Sequence, residues 1–225
     1  MNETEEKLKF RFSTKKAQMK SRLDAILEVA KRYDYNETHA HQVECLAGTL
    51  FMELEPLHKL SREERKLLEY AAILHDIGYF LTSKGHHKHA VQMIMMEPLP
   101  EFTRSEKLII ANTARYHRKA WPTIDHTPYA VLTGRERHCV DMLAPLLRLA
   151  DGLDCSHNSV VQELTCRIDD DAVVIVIDSP TCCDAELMAV LARSELFSAV
   201  YKREVKIERT TCSEPEIMES IEMRV

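Results

Sequence analysis

Histidines and an aspartate are concentrated in one short segment of this chain. Residues 74–89 read LHDIGYFLTSKGHHKH, which places four histidines and Asp76 within sixteen residues. Imidazole nitrogens and carboxylate oxygens are ligands for Mn, Fe, Zn and Mg ions. A structural zinc site rich in thiolates is not indicated, because the chain contains no C-x-x-C pair. The segment therefore points to a divalent-metal site built from His and Asp.

Helical spacing puts six ionisable residues on the apolar faces of predicted helices. His39 precedes Val43 and Leu46 by four and seven residues, so the three side chains share one helix face. A single histidine in such a position is usually a hydrogen-bonded core residue. A buried aspartate without a partner costs on the order of several kcal/mol, so a shared cation explains the whole set better. The six candidates are His39, His75, Asp76, His87, His117 and Asp151.

Helix boundaries follow from periodicity and from capping residues. Ser61 and Glu64 form an S-x-x-E capping box, and the apolar helix that it begins leads into His75-Asp76 and ends near Gly78. Residues 118–136 contain two prolines and are predicted as a loop with at most one short helix. The other predicted helices cover residues 15–33, a stretch capped by Asn36 or Thr38, a stretch from Gly85 or His86 to Met96, residues 105–117 with Ser105 or Thr103 as cap, and residues 136–153.

The sequence pattern changes after Ser156. ELTCRIDDDAVVIVIDS predicts a β-hairpin around residues 169–171, DAELMAVLARSELFSAVY predicts a helix, and REVKIERT alternates like a strand. We therefore expect a mainly α fold, with a helical domain over residues 1–157 and a small β-β-α-β unit over residues 158–225. The second strand of the hairpin suits a sheet that covers the helical domain or pairs with a second chain, so a homodimer is one expectation.

Charge, glycine content and cysteine usage exclude several classes of function. The 225-residue chain carries 30 basic and 36 acidic residues, a net charge of −6 that is unsuited to broad nucleic-acid binding. Only five glycines occur and no glycine-rich phosphate loop is present. The charged N-terminal segment and the lack of a long apolar run predict neither a signal peptide nor a membrane span. Seven cysteines without a metal-type pair fit reduced thiols in the cytoplasm.

Five motifs together resemble the HD superfamily of metal-dependent phosphohydrolases. The motifs are HAHQVECLAGTLF, LEYAAILHDIGYFL, GHHKHA, ARYHRK and LLRLADGLDCSH. They resemble most closely the HD region at the C-terminal end of exopolyphosphatase and guanosine pentaphosphatase (Ppx/GppA) proteins. The following hairpin, helix and strand, including SELFSAVYKREVKI, resemble the same region. The resemblance covers roughly residues 20–210 and implies an HD-type helical bundle with a small C-terminal unit.

The resemblance also implies an activity and a ligand set. It implies that one or two divalent ions (Mn, Fe, Mg, Zn or Ni) activate a water that hydrolyses a phosphate ester or anhydride. The substrate would be a small phosphorylated compound such as a nucleotide. In the family pattern, His39, His75, Asp76 and Asp151 would hold one ion, and Asp76, His87 and His117 would hold a second, with His86 as the alternative to His87 because helix phase is uncertain near a helix start.

Basic residues near the predicted site are candidates for contacts with phosphate oxygens. Arg118 and Arg148 offer a planar fork of donors and Lys84 offers a point charge, although each could instead be a solvated cation at a helix end. Asp154 lies one turn after Asp151, where it could orient a ligand histidine or cap the helix. His157 is expected to lie at the periphery.

Two departures from the family pattern leave another function open. No stretch of this sequence matches the ATPase domains that carry catalysis in full-length exopolyphosphatases, and Tyr79 follows HDIG where many two-metal members have lysine. The alternative to a hydrolase is a non-catalytic HD module that binds a nucleotide, polyphosphate or a partner protein, with structural metals. A third reading is a regulator of full-length phosphatases. The complete set of six buried polar residues favours the enzyme.

Overall fold

The computed structural model describes residues 21–210, so the predicted helix start at residue 15 and the tail that follows Cys212 lie outside the described residues. Within that range the fold is mainly helical with a small C-terminal sheet, which confirms the predicted fold class. The helices are α1 (residues 21–32), α2 (Glu37–Glu53), α3 (Glu55–His58), α4 (Arg62–Leu74), a 3₁₀ helix (Ile77–Phe80), α5 (His86–Met96), α6 (Arg104–Arg115), α7 (Thr127–Ala130), α8 (Gly134–Gly152), α9 (Asp184–Arg193) and α10 (Glu195–Tyr201). The strands are β1 (Glu163–Ile168), β2 (Ala172–Asp178) and β3 (Glu204–Arg209).

Side-chain caps begin the helices close to where the sequence predicts them. The Asn36 side-chain oxygen accepts the N–H of His39 at 3.2 Å, and the capping box of Ser61 and Glu64 starts α4. These side chains accept hydrogen bonds from backbone N–H groups of the first helical turn, which have no partner within the helix. Two further boxes, Thr103 with Glu106 and Thr133 with Glu136, start α6 and α8 one and two residues before their predicted positions.

Four helices form the centre of the helical unit. Helix α2 packs against α4 and α8, and α6 packs against α4, α5 and α8. Every residue of α8 from Leu143 to Gly152 is buried, including Arg148 and Asp151. A helix that is buried on all sides lies in the interior of a domain. The two charged residues of this buried stretch are thereby held inside the protein, where each needs a polar partner.

Gly78 allows the turn after α4 to touch the start of α5. Helix α4 ends at Leu74, earlier than the predicted end near Gly78, and Gly78 lies within the 3₁₀ helix. A Cβ atom on Gly78 would overlap the carbonyl oxygen of His86 and lie 2.9 Å from the backbone nitrogen of Ala90. These are backbone atoms, which cannot turn away as a side chain can. The glycine therefore brings the His75-Asp76 corner against the first turn of α5.

The C-terminal unit has the predicted β-β-α-β order, with its helical segment divided at Ser194 into α9 and α10. Strands β1 and β2 pair antiparallel, and β2 and β3 pair parallel. The order in the sheet is β1-β2-β3, so the two helices form the crossover between parallel neighbours. The central strand β2 is buried along most of its length.

One hydrophobic core extends through both parts of the chain. Val173 and Ile175 of β2 belong to the same cluster of buried residues as Leu46 of α2. Helices α8 and α9 touch at Gly152, where an added Cβ atom would lie 3.3 Å from the Cα atom of Val190. The sheet thus covers the helical unit, which was one of the two predicted alternatives. A domain boundary between residues 157 and 158 stays a prediction.

Two other expectations concern thiols and membrane spans. The six cysteines that fall within residues 21–210 are all free thiols, as expected for reduced cysteines. In the same range no helix has both the length and the apolar character that crossing a bilayer requires.

Buried His58 makes the stability of the fold depend on pH. Its Nε2–H donates to the carbonyl oxygen of Phe51 at 2.8 Å, and its Nδ1 accepts the N–H of Leu60 at 3.0 Å. Burial lowers the pKa of His58, and this effect exceeds the opposite effect of the Phe51 carbonyl. The neutral ring already uses both nitrogens, so protonation occurs more readily in the unfolded chain.

We expect the free energy of unfolding to decrease as the pH falls below about 6.5, the ordinary histidine pKa. A histidine whose pKa is lower in the folded state than in the unfolded state stabilises the fold above its unfolded-state pKa. As the pH falls below that value, the free energy of unfolding decreases by at most about 1.4 kcal/mol per pH unit. Urea denaturation of the metal-free protein at about pH 7 and about pH 5.5 measures the change. The His58→Gln variant keeps the donor to Phe51 and does not titrate. An equal pH dependence in both proteins would contradict this role of His58.

Candidate metal centre

Four histidines at the centre each direct Nδ1 at a nearby oxygen. In three of them the oxygen is the backbone carbonyl three residues earlier, and in the fourth it is a carboxylate. A neutral imidazole whose proton is on Nδ1 has a bare lone pair on Nε2, which is the form that binds a metal. The pairs are His75 with Ala72 at 2.6 Å, His86 with Ser83 at 3.0 Å, His117 with Ala114 at 2.5 Å, and His39 with Oδ2 of Asp154 at 2.7 Å.

The four Nε2 atoms surround the carboxylate of Asp76. On one side, Nε2 of His86 and of His117 lie 3.3 and 3.4 Å from Oδ1 of Asp76. On the other side, Nε2 of His75 and of His39 lie 3.4 and 3.8 Å from Oδ2. Each carboxylate oxygen thus faces its own pair of imidazoles. Asp76 is placed to serve as a bridge between two neighbouring sites.

The donor atoms form two groups that share Asp76. Oδ1 of Asp151 adds a fourth donor to the first group, at 3.6 Å from Nε2 of His39 and 3.8 Å from Nε2 of His75. Two donors that each lie about 2.1 Å from one cation at a near-tetrahedral angle are about 3.4 Å apart. The observed spacings suit such cations. The groups are His39, His75 and Asp76, and Asp76, His86 and His117, with the donor atoms of each within 4.8 Å of one another.

Several donor atoms of the centre are buried without a hydrogen-bond partner among residues 21–210. They include Nε2 of His39, Nε2 of His75 and Oδ1 of Asp76. Nε2 of His86 and Nε2 of His117 face each other at 3.3 Å, although their protons are placed on Nδ1. Two lone pairs at this distance repel each other unless a positive charge lies between them. The residues present therefore fit a divalent-metal centre.

The electrostatics of the centre also suit a cation. Burial raises the pKa of Asp76, but the imidazoles around it hold the pKa well below the ordinary range. The pKa of Asp151 is likewise lowered against burial, chiefly by its contact with His39. Burial and the charge of His75 lower the pKa of His117 to about 3. Ionised carboxylates and a neutral imidazole are the protonation states that bind metals.

Against burial, nearby carboxylates raise the pKa of His75, and the same holds for His39. Burial lowers its pKa, but contacts with the carboxylates of Asp151 and Asp154 outweigh burial and raise the pKa to about 9. Its ring is also covered by His157, which stacks on it with ring centroids 3.8 Å apart and an angle of 3°. A cation that binds Nε2 of His39 must displace a proton at neutral pH.

Asp154 and His157 form a layer behind His39. The two oxygens of Asp154 accept from His39 and from the N–H of Ser159 at 2.7 Å, so Asp154 orients the imidazole, as one of its predicted roles requires. His157 was expected at the periphery; it is exposed, and one face of its ring lies against His39. Its φ is 59°, and Nδ2 of Asn36 lies 3.3 Å from its Nδ1.

The structure places His86, and not His87, beside Asp76. Gly85 has a φ of 78° and immediately precedes the first residue of α5, so this turn sets which of the two rings faces the centre. His87 is buried, and the ring centroids of His87 and His117 are 6.4 Å apart. Burial, followed by the charge of His86, lowers the pKa of His87 to about 4. The alternative of His86 as the ligand, which the sequence left open, is the one that fits the geometry.

Arg193 was missed by the sequence analysis although it touches the centre. Its Nη1–H donates to Oδ2 of Asp151 at 2.7 Å, and Nε of Arg118 lies 4.0 Å from the same oxygen. The other oxygen of Asp151 faces His39 and His75. Arg193 is the last residue of α9, and no local pattern marks it. Its position depends on the packing of α9 on α8, which a single sequence does not reveal.

The three predicted phosphate-binding cations have different positions. Arg118 follows His117 in the chain, and its side chain lies beside the centre, where a contact with phosphate oxygens is predicted. Arg148 donates from Nε to the carbonyl oxygen of Tyr116 at 2.9 Å and from Nη2 to that of Ala120 at 2.6 Å. These bonds hold the loop after α6 and leave both Nη1–H groups and the second Nη2–H for a phosphate. Lys84 is exposed before α5 and does not line the cleft described next.

A cleft of about 500 Å³ opens beside His86 and His117. Its walls come from the 3₁₀ helix, the start of α5, the loop after α6, and the junction of α9 and α10. Four basic residues line it, while Glu195 is the acidic residue of its wall. The basic residues are Arg118, Lys119, Arg148 and Arg193, and two aromatic residues, Tyr79 and Trp121, complete the rim.

Comparison with known proteins identifies similar sequences. A family model described as Ppx/GppA phosphatase, domain III, matches residues 21–194, which is more than half of the chain. A guanosine-5'-triphosphate,3'-diphosphate pyrophosphatase of Aeromonas hydrophila is 30% identical over 151 residues, which is 66% of this chain and 30% of the relative. The protein of the same name from Aeromonas salmonicida is 30% identical over 119 residues, 52% of this chain and 23% of the relative. The matched region thus spans less than a third of either relative.

Proposed function

We propose, since this chain belongs to the Ppx/GppA phosphatase family, that it is a metal-dependent phosphohydrolase of the HD type. The substrate is a phosphate ester or anhydride of a small phosphorylated compound, in line with the nucleotide in the names of the Aeromonas relatives. The observation that carries the proposal is the convergence of four histidine Nε2 atoms on the two oxygens of Asp76.

Six side chains would hold two divalent ions. His39, His75, Asp76 and Asp151 would hold the first, and Asp76, His86 and His117 would hold the second. Bound there, divalent ions supply Lewis acidity, which lowers the pKa of a water and neutralises charge on phosphoryl oxygens. His86 takes the place that the sequence first assigned to His87, for the geometric reason given above.

The residues of the chain itself bind and orient the substrate. Arg118 lies at the mouth of the centre, where its guanidinium can pair with phosphoryl oxygens. Arg148 holds the carbonyl groups on both sides of Arg118 and so fixes the loop that carries it. Asp154 holds Nδ1 of His39 and keeps the ring in one orientation. Burial of the donor atoms keeps bulk water away from the reacting groups.

The proposal is tested by measuring bound metal and phosphate release on the same preparation. We expect about two divalent ions per chain after purification and dialysis, measured by mass spectrometry of the elements. We also expect Mn²⁺ or Mg²⁺ to support phosphate release from at least one member of a panel of nucleotides, nucleotide anhydrides and inorganic polyphosphates, and EDTA to stop it. A chain that retains two ions and hydrolyses none of these compounds would contradict the enzyme.

A non-catalytic binding module is the second candidate. Tyr79 occupies the position after HDIG, and its ring stacks on His86 with centroids 4.0 Å apart. The matched region is less than a third of the length of the relatives, so the activity in their names is not thereby assigned to this region. In this case the metals stabilise the fold, and the cleft binds a phosphorylated ligand without turnover. Metal content without phosphate release, as in the test above, would favour this module.

We expect Arg193→Ala to weaken binding of the first ion by about 10- to 100-fold, the range found when a partner of a ligand is removed. Without Arg193, Oδ2 of Asp151 loses its closest donor, and Oδ1 is no longer held toward His39 and His75. Calorimetric titration of the metal-free protein with Mn²⁺ measures the affinity. Arg104→Ala removes an equally charged but exposed residue at the start of α6 and serves as the control. Unchanged Mn²⁺ affinity in Arg193→Ala would show that Asp151 is held without it.

A further inference from the structure

Two exposed aromatic rings lie in the wall of the cleft beside the metal centre. The side chains of Tyr79 and Trp121 are each 44% exposed, and both line the cleft of about 500 Å³. The rings come from separate segments, the 3₁₀ helix and the loop after α6. Exposed aromatic rings that share a concave polar site commonly contact a ligand.

Tyr79 presents one free face in a fixed orientation. Its other face stacks on His86, with centroids 4.0 Å apart and an interplanar angle of 15°. Its hydroxyl accepts a hydrogen bond from Nη1 of Arg118 at 3.3 Å. The Tyr79 ring therefore lies between its free face and His86, which belongs to the second group of ligands.

The loop that carries Trp121 is held firmly at its start. Arg148 donates to the carbonyl oxygens of Tyr116 and Ala120, so the residue directly before Trp121 is fixed to α8. Arg148 itself is buried and forms no ion pair with a carboxylate among residues 21–210. A buried arginine that donates to two carbonyl groups of one loop keeps this loop in a defined position. The backbone that carries Trp121 is thereby held at the rim of the cleft.

The charge around the two rings is opposite to that of the whole chain. The chain has a net charge of −6, whereas Arg118, Lys119 and Arg193 line the cleft with Glu195 as their acidic neighbour. A concave site with this charge attracts a ligand with several negative charges. Rings beside such charges suit a ligand that has phosphates at one end and a planar aromatic group at the other.

We propose that Tyr79 and Trp121 form a stacking subsite for the aromatic base of a nucleotide whose phosphates lie between the metal centre and the basic residues of the cleft. The inference rests on the proposed function for the fate of the phosphates, but the subsite binds the base whether or not hydrolysis follows. Stacking is tolerant of the identity of the base, because every base has a π face. The subsite thus selects nucleotides over inorganic phosphates and not one base over another.

Trp121 is the only tryptophan of the chain, so its fluorescence reports on the subsite directly. EDTA-treated full-length protein is titrated with ATP, GTP and CTP, and separately with inorganic tripolyphosphate, with excitation at the red edge of indole absorption. We expect the nucleotides to quench Trp121 and to bind with lower Kd than tripolyphosphate. We expect tripolyphosphate to bind with little quenching, because it has no ring to stack.

Two variants separate stacking from a general effect on the fold. Tyr79→Ala should raise the Kd of nucleotides by about 5- to 10-fold and leave that of tripolyphosphate unchanged. Phe80→Ala is the matched control, because Phe80 is 57% exposed, adjacent in the chain, and packs on Tyr33 outside the cleft. Trp121→Ala, followed by calorimetry, should resemble Tyr79→Ala.

Each outcome decides a separate question. Equal Kd values for nucleotides and tripolyphosphate in the unmodified protein, or an equal loss in Phe80→Ala and Tyr79→Ala, would overturn the subsite. Quenching by nucleotides without any phosphate release in the metal-loaded protein would overturn the hydrolase and leave the subsite standing. Phosphate release from tripolyphosphate alone, without quenching by nucleotides, would overturn the subsite and leave the hydrolase standing.

Discussion

Replacing Asp76 by asparagine should empty both metal positions and reduce phosphate release by at least about 10³-fold, because metal ions lower the pKa of water from about 15.7 to about 7. Asp76 is the residue that both groups of ligands share. Asparagine preserves the volume but removes the negative charge and one of the two oxygen donors. Among the six proposed ligands, Asp151 would then be the one remaining carboxylate, which is too little negative charge to balance two divalent cations. Elemental analysis gives the metal content and a phosphate-release assay gives the activity.

Two comparison variants make this result specific. Asp170→Asn alters an exposed carboxylate in the hairpin turn and should keep both ions and full activity. His117→Ala removes a donor from the second group only, so we expect it to keep about one ion per chain. If Asp76→Asn retained two ions, or if His117→Ala lost both as readily, the two-site arrangement would be wrong.

Replacing Gly78 by alanine should lower the free energy of unfolding by about 3 kcal/mol, the upper part of the range for overpacked sites. The added methyl group meets the backbone of His86 and Ala90, so α5 or the 3₁₀ helix must move. Such a shift separates Asp76 from His86. A misplacement of about 1 Å can cost about 10²-fold in rate, so activity should fall beyond the loss of stability. Urea denaturation and phosphate release under folded conditions measure the two effects.

Gly134→Ala is the matched control for this substitution. Gly134 is the first residue of α8, and a Cβ atom there meets nothing within 4 Å. We expect its stability to stay within about 0.5 kcal/mol of the unmodified protein. A Gly78→Ala protein with unchanged stability and activity would show that α5 can shift without cost to the centre.

Much of the site could be predicted because its proposed metal ligands lie within helices or within two residues of helix ends. His39, His117 and Asp151 each lie at a helical spacing from buried leucine, isoleucine or alanine residues, so their inward direction follows from the sequence. The same argument failed at the start of α5, where the choice between His86 and His87 depends on the φ of Gly85. Periodicity does not fix the direction of a side chain in the first turn of a helix, because no earlier turn precedes it.

Long-range contacts account for what the sequence did not show. Arg193 reaches Asp151 only because α9 packs closely on α8, with the Cα atom of Val190 next to Gly152. His157 stacks on His39 and has a positive φ, which is uncommon for a residue other than glycine and which no motif signals. The helices and the hairpin of the C-terminal unit were predicted from local patterns. The way in which that unit contacts the centre was not.

The rings of His86 and His117 are each held by the carbonyl group three residues earlier, so the two groups of ligands differ in their sensitivity to change. Each of these rings takes its orientation from its own stretch of backbone, so the half that they form is assembled locally and tolerates alterations elsewhere in the protein. The half that contains Asp151 and His39 depends on Arg193 and Asp154, which are brought in from distant segments. Mutations far from the centre should therefore impair one cation position well before the other.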